Sequence, residues 1–234
     1  MKILAIQNRM GIGDMVIFLP FVEAISKHYN SPITLLVKEN SKANQYINKN
    51  SKIDEIITLK RDNKNNGHHD GFLGFFRLAQ ELKKLSFDKV FIFNSSLRYN
   101  LVCRFAGIPK IYQYPLFKKK KQHIVDAAKN LLFSKLNLNV ESNPEIFIDN
   151  NLTKKANEEF NIDNTKVNVL LGIGGSGPTK RIPSNKFIEF IKLTVKEYDC
   201  KFFLATGQKE EEKKILNEII LSCKENCVSL DKLS

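Results

Sequence analysis

Residues 2–29, KILAIQNRMGIGDMVIFLPFVEAISKHY, place an apolar run, a glycine turn and a long helical stretch in that order. Lys2–Ile6 reads as an opening strand, and the helix is expected from Asp14 to Tyr29. Asp14 then stands at the tip of the first strand-to-helix turn. Open α/β sheets bind ligands at the carboxyl ends of their parallel strands, and helix N-termini attract anions. An acid there is either a helix cap, a role that suits Asp, or a catalytic base. The turn alone does not choose between them.

Working outward, apolar strand-like runs keep alternating with amphipathic helical stretches, the pattern of parallel α/β units. Strands are expected at Ile3–Ile6, Ile33–Val37, Glu55–Leu59, Lys89–Phe93 and Lys110–Gln113, with helices at Phe72–Leu85 and Gln122–Leu136. Lys60–Gly71 reads as a polar, glycine-bounded loop. From Asn137 to Lys166 the chain turns rich in Asn, Asp and Lys, with one apolar piece at Glu145–Ile148, and reads as a connection. A second run follows: strand Val167–Leu171, loop Gly172–Pro178, helix Ser184–Tyr198, strand Lys201–Ala205, helix Lys209–Ser222 and strand Cys227–Leu230. The expected division is 1–150 and 151–234. A second lobe of about 70 residues is short beside the ~100–150 of a typical domain, and its small sheet would leave an unpaired edge. The expectation is a truncated chain.

The totals are those of a soluble globular protein: 234 residues, 42% hydrophobic and 26% charged. No apolar run reaches the ~18 residues of a membrane span. Four scattered cysteines (Cys103, Cys200, Cys223, Cys227) argue against a disulfide framework and for a reducing cytoplasm. The formal charge of +12 favours an anionic partner without choosing one.

Gly11 and Gly13 are followed by Val16 where a dinucleotide fingerprint needs its third glycine. Gly13 is expected to make the tight turn. The second glycine loop, Gly172-Ile-Gly-Gly-Ser-Gly-Pro-Thr-Lys-Arg-Ile-Pro183, offers backbone N–H groups, the hydroxyls of Ser176 and Thr179, and the cations Lys180 and Arg181. That inventory suits a diphosphate. Pro178 and Pro183 postpone the helix beyond what the nicotinamide fingerprint allows. Lys118–Lys121 is either a solvated run or a contact for anionic lipid. His123 reads as a surface or capping residue. His68, His69 and Asp70 lack further ligands at metal spacing. Cys223 and Cys227 read as buried thiols.

Together these pieces resemble glycosyltransferase family 9, the heptosyltransferases of lipopolysaccharide core synthesis. The carriers are the opening stretch through Leu19-Pro20, then Asp88, Arg98 and Ala106-Gly107-Ile108-Pro109, then GIGGSGPTKRIP, with Ile182 for the family's usual Trp, and finally Gly207 with Glu210-Glu211. The resemblance implies a GT-B architecture, two Rossmann-like α/β/α domains facing a cleft, with acceptor on 1–150 and nucleotide-sugar on 151–234. It makes Asp14 the general base, sets Ser176 and Lys180 at the donor diphosphate, where the loop's own inventory adds Gly175, Thr179 and Arg181, and puts Glu210 at the nucleoside. From charge, not from the resemblance, Arg98, Lys118, Lys119, Lys120 and Lys121 are expected to contact the acceptor, with Gly13 on the same lobe. The resemblance implies ADP-heptose as donor, an anionic glycolipid as acceptor, no cofactor, and a monomer at the cytoplasmic face of the inner membrane. The family's Asp-Thr-Gly-x-x-His motif has no counterpart before Ser234, which leaves the donor pocket incomplete and the activity of this chain open.

Inverting transfer needs a base, a stabiliser for the departing diphosphate and exclusion of water. Without an Asp-x-Asp pair by the donor loop, Lys180 and Arg181 are expected to replace a divalent metal. The wager is that Asp14 and Lys180 confront each other across a cleft between lobes. One rival is a nicotinamide dehydrogenase, which the two prolines oppose. Another is a basic module for membrane or nucleic acid, which leaves Asp14 unexplained and lacks interleaved aromatics for base stacking.

Overall fold

The computed structural model describes residues 1–9, 11–47, 50–62, 67–116, 122–175, 181–207 and 209–231. The chain divides into two compact units, Met1–Ile148 and Asp149–Ser234.

The first unit runs β1 (Ile3–Gln7), α1 (Ile12–Tyr29), β2 (Ile33–Lys38), a short α2 (Ala43–Tyr46), β3 (Ile53–Leu59), α3 (Gly71–Leu85), β4 (Lys89–Ile92), α4 (Leu97–Phe105), β5 (Lys110–Gln113) and α5 (Ile124–Leu136). Its five strands lie in the order β3-β2-β1-β4-β5, every neighbouring pair parallel. The central strand shows why its sequence is apolar throughout. Side chains alternate between faces, and both faces of β1 are covered. Ile3 and Ala5 join a core with Phe18 and Phe21 of α1 and Leu131 of α5, whereas Leu4 and Ile6 join Leu78 and Leu82 of α3 and Tyr99 and Val102 of α4. Each such aliphatic side chain contributes about 1.5–3 kcal/mol on burial.

The second unit runs α6 (Asn150–Glu159), β6 (Val167–Gly172), α7 (Ser184–Glu197), β7 (Cys200–Ala205), α8 (Glu210–Cys223) and β8 (Cys227–Ser229), with a parallel sheet in the order β6-β7-β8. Phe202 and Leu204 of β7 pack against Phe187 and Ile191 of α7 and Leu216 and Ile219 of α8. β6 is an edge among the described residues and leaves Val167 and Leu170 exposed.

Three helices depart from the sequence reading, the short α2 among them. α6 lies inside the stretch read as a connection. It has no buried residue, so no apolar stripe marked it, and it starts where the Asp149 carboxylate accepts the Asn151 N–H at 2.9 Å. α4 shows only a short buried side, Tyr99, Asn100, Val102 and Cys103. Glu145–Ile148, read as part of the connection, has no regular structure, and Phe147 and Ile148 are exposed. His123 does cap α5, its Nδ1 accepting from Val125 N–H at 3.4 Å, and all four thiols are buried.

Candidate functional site

In the first sheet the chain steps outward from β1 to β3 and then returns to β4 on the other side, so the order reverses between β1 and β4. A cavity of about 660 Å³ opens at that point. Asn8 and Arg9 reach it from the end of β1, Phe93, Asn94 and Ser95 from the end of β4, and Tyr114 from the end of β5. This is the position that the ligand rule for open α/β sheets designates.

The loop that leads from β1 to Asp14 is pinned by Gln7, a buried polar residue closing an otherwise apolar strand. Gln7 Oε1 accepts the Arg9 N–H and its Nε2 donates to the Asp14 carbonyl at 3.2 Å. The turn itself falls at Gly11, where φ is 114°, and not at Gly13, which is already helical. Gly11 is also the N-cap, so Asp14 is the third helical residue and does not cap α1 with its side chain. The Asp14 carboxyl remains 30% exposed, with Arg9 Nη1 at 3.9 Å from its Oδ1. Arg9 therefore touches both the acid and the cavity.

Two buried donors line the same cavity without a hydrogen-bond partner among the described residues: Asn94 Nδ2 and Tyr114 Oη. The Asn94 amide is oriented by chemistry, since Oδ1 accepts the Ser96 N–H at 2.9 Å and the NH2 group must face away. The loop is held from β5, where Gln113 Nε2 donates to the carbonyls of Asn94 and Ser96, both at 3.0 Å. Asn100 and Arg104 extend that chain. Burial pushes the Tyr114 phenol up, so it stays protonated.

A second cluster forms where β3 ends. The Asp70 carboxylate accepts Arg61 Nε at 2.7 Å, Asp62 N–H at 2.9 Å and Gly67 N–H at 3.0 Å. These bonds, Arg61 foremost, hold it below the usual carboxylate range. Arg98 donates from Nη2 to the His69 carbonyl at 2.9 Å, lies 5.7 Å from the Phe75 ring centroid, and keeps a buried Nε without a hydrogen-bond partner among the described residues. It does not line the cavity. His68, His69 and Glu81 bring three ligand atoms within 4.8 Å of one another. The tautomer of His69 speaks against a metal. His69 Nδ1 accepts the Lys60 N–H at 3.0 Å, so the neutral ring carries its proton on Nε2 and donates it to Glu81 at 3.0 Å.

In the second unit the functional side chain that sequence reasoning missed is Glu212. It is 4% exposed and sits where the loops after β6 and β7 meet. Its Oε1 accepts from Gly175 N–H at 3.2 Å and its Oε2 from Gly207 N–H at 3.0 Å. A Cβ at Gly207 or Gly174 would press on that carboxylate, which explains both glycines. Arg181 is drawn to the same place, 3.9 Å from Glu212 and 3.8 Å from Glu211, and its buried Nε has no hydrogen-bond partner among the described residues. Glu210 opens α8 and is exposed. The available signal was three consecutive acids at a helix start, of which the spacing of buried positions on α8 (Glu212, Leu216, Ile219) selects the third.

Thus Gly13, Asp14 and Arg98 lie in the first unit, and Gly175, Arg181 and Glu210 in the second. Ser176, Thr179, Lys180 and Lys118–Lys121 lie outside the described residues.

The fold has known counterparts. Over 100% of this chain and 73% of that one, the structure superposes on E. coli ADP-heptose LPS heptosyltransferase II with a TM-score of 0.75 at 18% identity. A glycosyl transferase family 9 structure from Veillonella parvula gives 0.69 at 19% identity, covering 95% and 74%. E. coli heptosyltransferase WaaC with ADP gives 0.69 at 16%, covering 100% and 76%. At these identities the likeness establishes the fold, that of the GT-B glycosyltransferases. No curated protein matches the sequence. The model of glycosyltransferase family 9 (heptosyltransferase) matches residues 75–231, more than half of the chain. With that match, the chain belongs to glycosyltransferase family 9.

Proposed function

We propose that this glycosyltransferase moves a heptose, or a closely related sugar, from an ADP-linked donor to an anionic, lipid-linked glycan, with inversion and without a metal. The observation that carries the reading is the acid in the first turn of α1, Asp14, left accessible and 3.9 Å from Arg9, which itself lines the 660 Å³ cavity. In this scheme the acceptor sugar occupies the cavity of the first unit, where Asn94 Nδ2 and Tyr114 Oη supply donors to its oxygens and Phe18 and Phe93 supply apolar surface. Asp14 takes the proton from the attacking hydroxyl as the new bond to the anomeric carbon forms. The bond to the diphosphate oxygen breaks, and its electron pair leaves with the diphosphate.

The donor reading rests on the second unit. Arg181 brings a guanidinium to the glycine loop, 3.9 Å from Glu212 and 3.8 Å from Glu211, and Glu212 fixes the loops on either side. Lys180, Ser176 and Thr179 belong to this reading by sequence, as does Glu210 at the nucleoside. Fixed cations of this kind stabilise charge that accumulates on a leaving group. The ADP of the E. coli WaaC structure supports an adenine nucleotide. No described helix is long and apolar enough to cross a membrane, and peripheral attachment at the cytoplasmic face is the arrangement proposed, with Lys118–Lys121 and Arg98 on the acceptor side.

Calorimetric titration with ADP, UDP and NAD tests the donor. ADP is expected to bind most tightly, with Arg181→Gln weakening it about tenfold or more. Preference for NAD, or no binding by any of the three, would sink the reading. Transfer in EDTA should proceed at full rate, and a loss restored by magnesium would remove the metal-free part.

A further inference from the structure

The outer face of α3 and α4 is aromatic where a water-facing helix pair should be polar. Phe72 is 76% exposed, Leu73 68% and Phe105 60%, with Phe76 and Leu101 also open to solvent. These are not scattered residues. Phe72 meets Phe76 edge-on at 4.9 Å between centroids, and Phe76 meets Phe105 across the two helices at 5.9 Å. Phe75 joins Phe105 beneath them at 5.4 Å. Leu101 stands one turn before Phe105 and so shares its face of α4. Contiguous exposed apolar patches on soluble proteins mark interaction sites.

Charge selects the occupant. The two helices expose Arg77, Lys83, Lys84 and Arg104 against one acid, Glu81, and that acid is bonded to His68 and His69. A second copy of this chain would bring the same cationic excess to a self-complementary contact and be repelled. An anionic bilayer would instead attract the cations while its acyl boundary accepts the rings. That combination of aromatic face and Lys/Arg flank is what interfacial helices use. Position agrees as well. α3 and α4 start where β3 and β4 end, and Leu97, the exposed first residue of α4, lies two residues beyond Ser95 of the cavity.

We infer that the α3–α4 face is a docking surface for anionic phospholipid, seating the first unit on the membrane with its cavity beside the headgroups. This deepens the proposal of a lipid-linked acceptor and rests on it only for why such docking is useful.

The test is co-sedimentation of the full chain with vesicles of phosphatidylcholine alone or mixed with phosphatidylglycerol. The wild type should partition onto the mixed vesicles. The triple variant Phe72→Ser/Phe76→Ser/Phe105→Ser should lose at least tenfold of that binding, with its melting temperature and ADP affinity unchanged. Should the triple variant fail to fold, Phe72→Ser alone removes the most exposed ring and should still lower partitioning severalfold. Undiminished binding by a folded aromatic variant overturns the inference. So does a concentration-dependent dimer in the wild type that the variant abolishes, since the face would then belong to a second copy. Loss of all binding on Lys118–Lys121→Ser with none on the aromatic variant also overturns it. ADP affinity on the same samples tests the donor reading separately.

Discussion

The loops that follow β1 and β3 leave the same sheet at the same edge, and each delivers an aspartate to the start of a helix. Their surroundings are opposite. Asp70 is sealed, its two oxygens accepting three hydrogen bonds from Arg61, Asp62 and Gly67. Asp14 is 30% exposed and has one cation at 3.9 Å. The glycines tell the same story. A side chain at Gly74 would collide with the His69 backbone, whereas Gly13 faces open space. A buried carboxylate whose two oxygens are both engaged holds a loop together. One that is accessible, beside a half-exposed guanidinium that lines a cavity, has capacity left to take a proton.

The contrast can be broken most sharply at the acids themselves. Asp14→Asn should lower the turnover rate about 10²–10⁴-fold, the range for loss of a general base, while changing unfolding stability by less than about 0.5 kcal/mol. Steady-state kinetics and urea titration on the same protein decide it, and intact turnover would end Asp14's role as base. Asp70→Asn should do the reverse, costing about 2–4 kcal/mol by stranding the Arg61 guanidinium and two backbone N–H groups. A loss no larger than that of Asp14→Asn would show that the sealed network is not what holds the loop.

Smaller effects sharpen the comparison at the glycines. Gly74→Ala should destabilise by about 1–3 kcal/mol, because backbone must move to admit the methyl. Gly13→Ala should instead stabilise by roughly 0.5–1 kcal/mol through helix propensity. Thermal melts of the pair test the sign difference.

The finest test is pH. Burial lowers the affinity of His69 for a proton in the folded protein, so the unfolded chain takes one up first. The stability from this residue is present above about pH 6.5, the ordinary histidine value, and is lost as pH falls toward the lower folded value. Asp70, held below its ordinary range by Arg61, adds a second loss that starts below about pH 4. Urea midpoints across this range should fall with acidity, and His69→Gln should flatten the upper part of the curve. An unchanged upper slope in that variant would show that His69 takes up its proton equally in both states.

How much was legible varied with the kind of signal. The strands and the longer helices were readable because each buries an apolar run or stripe, and β1 announces its two covered faces in Ile3, Leu4, Ala5 and Ile6. α6 was not, because it buries nothing and periodicity has no purchase on a polar helix. At the site, Asp14 was readable from its place after the first strand. Gln7 and Glu212 were not: one ends an apolar strand, the other is the last of three acids, and each acts through bonds to backbone groups that no spacing pairs with it.

By itself, then, the sequence determined the alternation of parallel strands and helices, the family, and the presence of an acid at the first strand's end, since these depend on local order along the chain. The tertiary structure alone decided that Gly11 and not Gly13 makes the turn, that Asp70 is saturated while Asp14 is open, and that Glu212 clasps two glycine loops. Those outcomes depend on which groups from distant strands compete for the same hydrogen bonds, and no linear spacing records that competition.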